Sequence, residues 1–114
     1  MAFIYKIVTA EQWRIAERDG VFAGAPVDLA DGYIHFSTAE QVRETAAKHF
    51  AGQNDLLLAA IPVAAIPDGL KWEPSRGGAL FPHLYGTLDP KWAAWVKPLL
   101  LCVDGKHAFP DLSA

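Results

Sequence analysis

Short apolar runs, some alternating and some unbroken, are separated along this chain by glycine, proline and aspartate. Phe3 to Val8 is rich in aromatic and β-branched residues and predicts a strand. Thr9 then opens a helix, with Gln12 at the capping-box position and Gly20 as its stop. The apolar stripe of that helix is thin, with Trp13 and Ala16 facing one way and Ile15 another. Val21 to Asp31, with a glycine, a proline and two aspartates, reads as a surface loop or lid. Tyr33 to Ser37 is a second strand, and Thr38 opens a second helix with Gln41 three residues on. Ala39, Val42, Ala46 and Phe50 give it a buried face, and Gly52 ends it. Leu56 to Ile61 is apolar throughout, as a central strand covered on both sides must be. Leu70–Glu73 and Phe81–Gly86 are further strands, and Asp89-Pro90 starts a short helical turn. Trp95–Val103 and Lys106–Phe109 flank Asp104-Gly105, a strong hairpin signal. This order predicts one α+β domain over residues 1–114, with two early helices and a sheet that dominates late.

Strand alternation sorts the polar residues. Tyr33, His35 and Ser37 share a face, with Ile34 and Phe36 behind. Lys71 and Glu73 share a face, with Leu70 and Trp72 behind, and His83 and Tyr85 share one with Leu84 behind. The pattern predicts a cleft lined by His, Tyr, Ser and Glu.

Each member has a plainer role to set beside the functional one. His35 lies between a strand and a helix start, where backbone N–H groups attract anions, so it can orient a hydroxyl-bearing or phosphorylated ligand. The plainer role is a ring bonded to Ser37 or to backbone. Ser37 and Thr38 are helix caps first, and since one cap suffices, the other is free for a ligand. Glu73, between Trp72 and Pro74, is a candidate acid or base whose pKa aromatic neighbours would raise, against a salt bridge to Lys71 or Arg76. Ser75, Arg76, Gly77 and Gly78 form a loop whose paired glycines require unusual backbone angles or a close approach. His83 and Tyr85 can bind a ligand together, with Gly86 allowing close approach, or simply form an aromatic ladder.

Composition narrows the classes. Ten Lys and Arg scattered among thirteen acids, with a net charge of −3, argue against a nucleic-acid partner. Cys102, the only cysteine, allows no internal disulfide and is expected as a buried small hydrophobe in the run Pro98–Val103. No histidine spacing matches a local metal signature, so no metal is expected. The start Met1-Ala-Phe-Ile-Tyr-Lys6 has no basic leader, and no apolar run reaches membrane-spanning length; a cytoplasmic protein without membrane contact is the expectation.

Several blocks also resemble a known family. Tyr5-Lys6-Ile7 with Trp13, Asp31-Gly-Tyr-Ile-His-Phe-Ser-Thr38, Gln41, Asp55-Leu56-Leu57, and Lys71-Trp-Glu73 through Gly77-Gly78 to Phe81-Pro-His-Leu-Tyr-Gly86 look like the small bacterial family called domain of unknown function 952. The resemblance implies a fold similar to ADP-ribosyltransferases: a split, mixed sheet with a cleft that holds NAD in the active enzymes. It matches His35 to the histidine that contacts a ribose. The tyrosine and the late glutamate fit less well, because Glu73 precedes Tyr85 and no glutamate follows it.

Together these features predict a small-molecule binder. The leading reading is a nucleotide or NAD-derived ligand held by Tyr33, His35, Ser37, Thr38, Ser75, Arg76, Gly77, Gly78 and Tyr85, with Glu73 and His83 as catalytic candidates for ADP-ribosyl transfer. One alternative is a non-enzymatic module for a small metabolite or a protein partner. Another is a small hydrolase or transferase with the two histidines as acid and base.

Overall fold

The computed structural model describes residues 2–112, Arg76 through its backbone alone. The elements run β1 (Phe3–Thr9), α1 (Ala10–Asp19), α2 (Pro26–Asp31), β2 (Ile34–His35), α3 (Ala39–His49), β3 (Leu56–Pro62), β4 (Leu70–Pro74), β5 (Leu80–Leu84), β6 (Trp95–Leu101) and β7 (His107–Ala108). The architecture is α+β, with two sheets of order β1-β3-β6-β7 and β2-β5-β4. The split expected of the sheet is present. Every named strand pairing is antiparallel, however, where a mixed sheet was expected. A single bridge between Tyr5 of β1 and Ser37 just after β2 joins the two sheets.

Local signals set the ends of the first helix. The Gln12 N–H donates to Thr9 Oγ1 at 3.0 Å, and Gln12 Oε1 accepts from the Thr9 N–H at 2.9 Å, a reciprocal cap. Gly20 closes α1 in the left-handed conformation that a side chain would disfavour. Helix α3 stops at His49, before Gly52, with Phe50 as its cap.

The central strand divides the core. Ala59 and Ile61 of β3 pack with Ile4, Val8, Trp13, Ile34 and Leu84 on one side. Leu56, Leu58 and Ala60 pack with Tyr5, Ile7, Val42, Ala46 and Leu99 on the other. An unbroken apolar run is what such a doubly covered strand requires.

Two expectations are corrected. Val21–Asp31 is not simply a surface loop: Phe22 is buried and bridged to Leu88, and Pro26–Asp31 is a helix whose Asp28 is buried. Pro at the first helical position and Asp at the third are helix-start residues that the loop reading passed over. Cys102 is exposed rather than buried. At that end β6 has only the two-residue β7 beside it, and Leu100, Leu101 and Val103 are exposed as well.

Candidate functional site

Strand register builds the site. In the β2–β5 pairing His35 lies opposite His83, and in the β4–β5 pairing His83 lies opposite Lys71. Cross-strand partners project to the same face, so three short segments deliver His35, His83, Lys71, Glu73 and Tyr85 together. The two imidazole centroids are 5.5 Å apart, edge to face. Tyr33 stacks on His83 at 4.2 Å and lies 4.7 Å from the His35 ring.

A buried carboxylate holds His35. Asp28 Oδ1 accepts from the His35 N–H at 3.1 Å and lies 2.6 Å from His35 Nδ1. Asp28 Oδ2 accepts from the Ala25 N–H at 2.8 Å. The Lys6 ammonium, itself buried, reaches both oxygens, at 3.1 and 3.0 Å. Burial alone would raise the pKa of Asp28. The His35 hydrogen bond, the Lys6 charge and the two backbone N–H donors outweigh it and hold the carboxyl at about 2. Burial pushes the Lys6 ammonium down, and Asp28 opposes that. The second ring nitrogen of His35 lies 2.9 Å from the exposed carboxylate of Asp31.

The other imidazole has its own carboxylate. His83 is 3% exposed, and its Nδ1 lies 2.8 Å from Glu73 Oε1. The Tyr85 hydroxyl donates to the same oxygen at 2.7 Å. These two bonds lower the pKa of Glu73, contrary to the expected rise. Trp72 is half exposed, so it does not seal the carboxylate from water. The hydrogen bond to Glu73, with smaller contributions from burial and from the Glu73 charge, pushes the Tyr85 hydroxyl up to about 12. The Lys71 ammonium lies over the Tyr85 ring, 4.8 Å from its centre.

The remaining predicted residues divide. Ser37 does not join the cleft: it is buried, and its hydroxyl lies 3.0 Å from Thr45 Oγ1 of α3. The chain leaves the β2–β5 pairing after His35, and Ser37 exchanges backbone hydrogen bonds with Tyr5 of β1 instead. Thr38 caps α3, and its N–H donates to Gln41 Oε1 at 3.0 Å. The Ser37 and Thr38 N–H groups, expected to meet an anion, are therefore engaged within the fold. Ser75 lines a cleft of about 610 Å³ that also touches Lys6, Asp31, His35, Phe81 and His83. Gly77 and Gly78 have φ of +69° and +84°, with open space at their Cβ positions, so backbone angle rather than close approach explains the pair. The close approach expected at Gly86 occurs at Gly69, where a Cβ would meet the Tyr85 carbonyl oxygen at 2.7 Å.

Lys6, Asp28 and Asp31 are the site residues that sequence reasoning missed. A signal existed. Lys6 sits between Ile4 and Val8 on the inward face of an apolar strand, a place where a charge needs a buried partner. Asp28 follows Pro26 at the helix-start spacing.

The model of the family described as a protein of unknown function (DUF952) matches residues 7–96. The crystal structure of protein CC0527 from Caulobacter crescentus superposes with a TM-score of 0.89 at 47% identity, over 93% of each chain. The solution NMR structure of CC0527 gives 0.83 at 48% identity, over 93% of this chain and 91% of that one. No curated protein matches the chain.

Proposed function

The chain belongs to the DUF952 family, and we propose that it binds a nucleotide or NAD-derived ligand through its ribose, in the cleft where His35, Glu73, His83 and Tyr85 meet. One observation carries this reading: two imidazoles, each held at Nδ1 by a carboxylate, stand edge to face with their centroids 5.5 Å apart. Each carboxylate accepts at Nδ1, which leaves Nε2 of His83 for a ligand, while Nε2 of His35 lies 2.9 Å from the exposed Asp31 carboxylate, which a ligand hydroxyl would displace. Two such acceptors suit the paired hydroxyl donors of a ribose. The cleft of about 610 Å³ that His35 and His83 line has room for a ligand of this size; Tyr33, Glu73 and Tyr85 are not part of its lining and reach it only through their contacts with the two histidines and with one another.

An ADP-ribosyltransferase-like chemistry is part of the same proposal. Glu73 is ionised and beside the histidines, so it can stabilise positive charge on a ribosyl carbon. Its Oε1 already accepts from His83 and Tyr85, and no glutamate follows it in the chain. Binding with slow or absent turnover is the expected behaviour.

Calorimetric titration with NAD, ADP-ribose and AMP tests the reading. Saturable binding that weakens at least tenfold in His35→Ala supports it. No heat from any of the three at millimolar concentration overturns it and puts a non-nucleotide metabolite or partner module in front. NAD cleavage abolished by Glu73→Gln would establish the transferase side. The carboxylate-oriented imidazoles also suit a small hydrolase or transferase with His83 and His35 as acid and base on another substrate, which hydrolysis of model esters would reveal.

A further inference from the structure

We propose that Lys6 and Asp28 are the positioning residues of this cleft: through a buried ion pair they place the proton of His35 on Nδ1 and leave Nε2 on the open side, where the exposed Asp31 carboxylate lies 2.9 Å away until a ligand takes its place. The proposal rests on the ligand-binding reading above for its purpose, but its geometry stands on residues outside the predicted set.

Asp28 is more than a helix cap. Its Oδ2 accepts from the Ala25 N–H at the start of α2, while its Oδ1 meets both the backbone N–H and the ring Nδ1 of His35. One carboxylate thus fixes the strand position and the ring rotation of the same histidine. An ionised carboxylate only accepts hydrogen bonds, so the 2.6 Å contact places a proton on Nδ1; Asp31 competes for it at Nε2 from 2.9 Å, but through an exposed side chain that water screens, whereas Asp28 is buried. A free neutral imidazole side chain favours the opposite tautomer, so the protein must supply the preference.

Lys6 supplies the charge balance. It comes from β1, in the other sheet, and reaches both oxygens of Asp28 from a side chain 7% exposed. Neither member is needed for packing alone, because apolar side chains of similar volume commonly stabilise a core as well as a buried ion pair does. Lys6 lies between Ile4 and Val8, where an apolar residue would continue the pattern. What an apolar pair could not do is hold an acceptor at His35 Nδ1. The Lys6 ammonium keeps that acceptor ionised in a dry place. His35 itself is about one-third exposed at its side chain, with its far nitrogen beside exposed Asp31, so the device is buried while the ring it aims is not.

Long-range nitrogen–proton NMR correlations of the imidazole rings read the tautomer directly, with no ligand added. Spectra are taken at a pH of about 9, above the ordinary imidazole range. In the wild-type protein His35 Nδ1 is expected in the protonated range. In Asp28→Leu, which leaves no acceptor at Nδ1, it is expected to move to the lone-pair range, with the proton on Nε2, and in Lys6→Met, which frees Asp28 to turn away, to move part of the way. Lys6→Arg keeps the charge and should restore the wild-type pattern. His83, held by Glu73 instead, should be unchanged throughout and reports that the fold is intact. A wild-type His35 without a proton on Nδ1 overturns the proposal, and that measurement needs no variant to fold. Variants that melt at lower temperature but keep the wild-type His35 pattern also overturn it, because they leave the ion pair a structural role only. Nucleotide titrations do not enter, so a failed ligand reading and a failed positioning reading are separable.

Discussion

Acid should release part of the folding free energy through a single carboxylate, Asp28. Its side chain is 1% exposed, and its pKa falls from 3.8 to about 2 in the fold. At about 1.4 kcal/mol per pH step, that displacement is worth about 2 kcal/mol. Because the folded carboxyl binds its proton more weakly, the unfolded chain is protonated first as the pH falls. The contribution is therefore complete above about pH 4 and is lost as the pH passes down through about 2. Urea unfolding followed by tryptophan fluorescence, at steps from neutral pH to about 2, measures the slope. Asp28→Asn should be about 3–5 kcal/mol less stable at neutral pH, since it leaves the Lys6 ammonium buried without its partner. Its acid slope should be shallower by one proton. Adding Lys6→Met should recover part of the loss, because the two sites are in contact and their effects are not additive. An Asp28→Asn protein with the wild-type acid slope, or a loss below about 1 kcal/mol, would refute the account of a charged buried pair.

Other outcomes test the remaining parts of the site. Glu73→Gln should bring the Tyr85 hydroxyl down from about 12 toward the ordinary tyrosine range, seen as tyrosinate absorbance at lower pH, because the hydrogen bond to the Glu73 carboxylate is the largest cause of the rise and its charge adds to it. Gly69→Ala should cost more than about 1 kcal/mol and weaken nucleotide binding, since φ is +85° and the new methyl would meet the Tyr85 carbonyl oxygen at 2.7 Å. Gly77→Ala and Gly78→Ala meet no atoms within 4 Å, so each should cost only about 1 kcal/mol, the left-handed backbone penalty, in thermal melts. The Ser75–Gly78 loop should show fast backbone motion by NMR relaxation and quieten when ligand binds; equal order in both states would remove it from the site.

Much of this protein is written in local pattern. The capping box of Thr9 and Gln12, the stop at Gly20, the buried stripe of Val42 and Ala46 and the doubly covered run Leu56–Ile61 all depend on neighbours within a turn or a strand, and they were legible. Alternation also grouped His83 with Tyr85 and Lys71 with Glu73 on single faces. It could not say that His35 would pair with His83, since register between strands nearly fifty residues apart is set by tertiary packing. The same limit misplaced Ser37, which the period put beside His35 and the bridge to β1 carried away. Asp28 and Lys6 each left a signal, but their pairing was beyond reach for a related reason. Each looks anomalous alone, a charge in an apolar strand and an acid in a loop-like stretch. A buried charge is tolerable only with its partner, and the partner stands 22 residues away in the chain. Sequence by itself determined the elements other than α2, and the histidines, tyrosines and Glu73 of the cleft. Only the tertiary structure decided which carboxylate meets which imidazole, because hydrogen bonding and desolvation act over a few ångströms in space, at whatever distance along the chain.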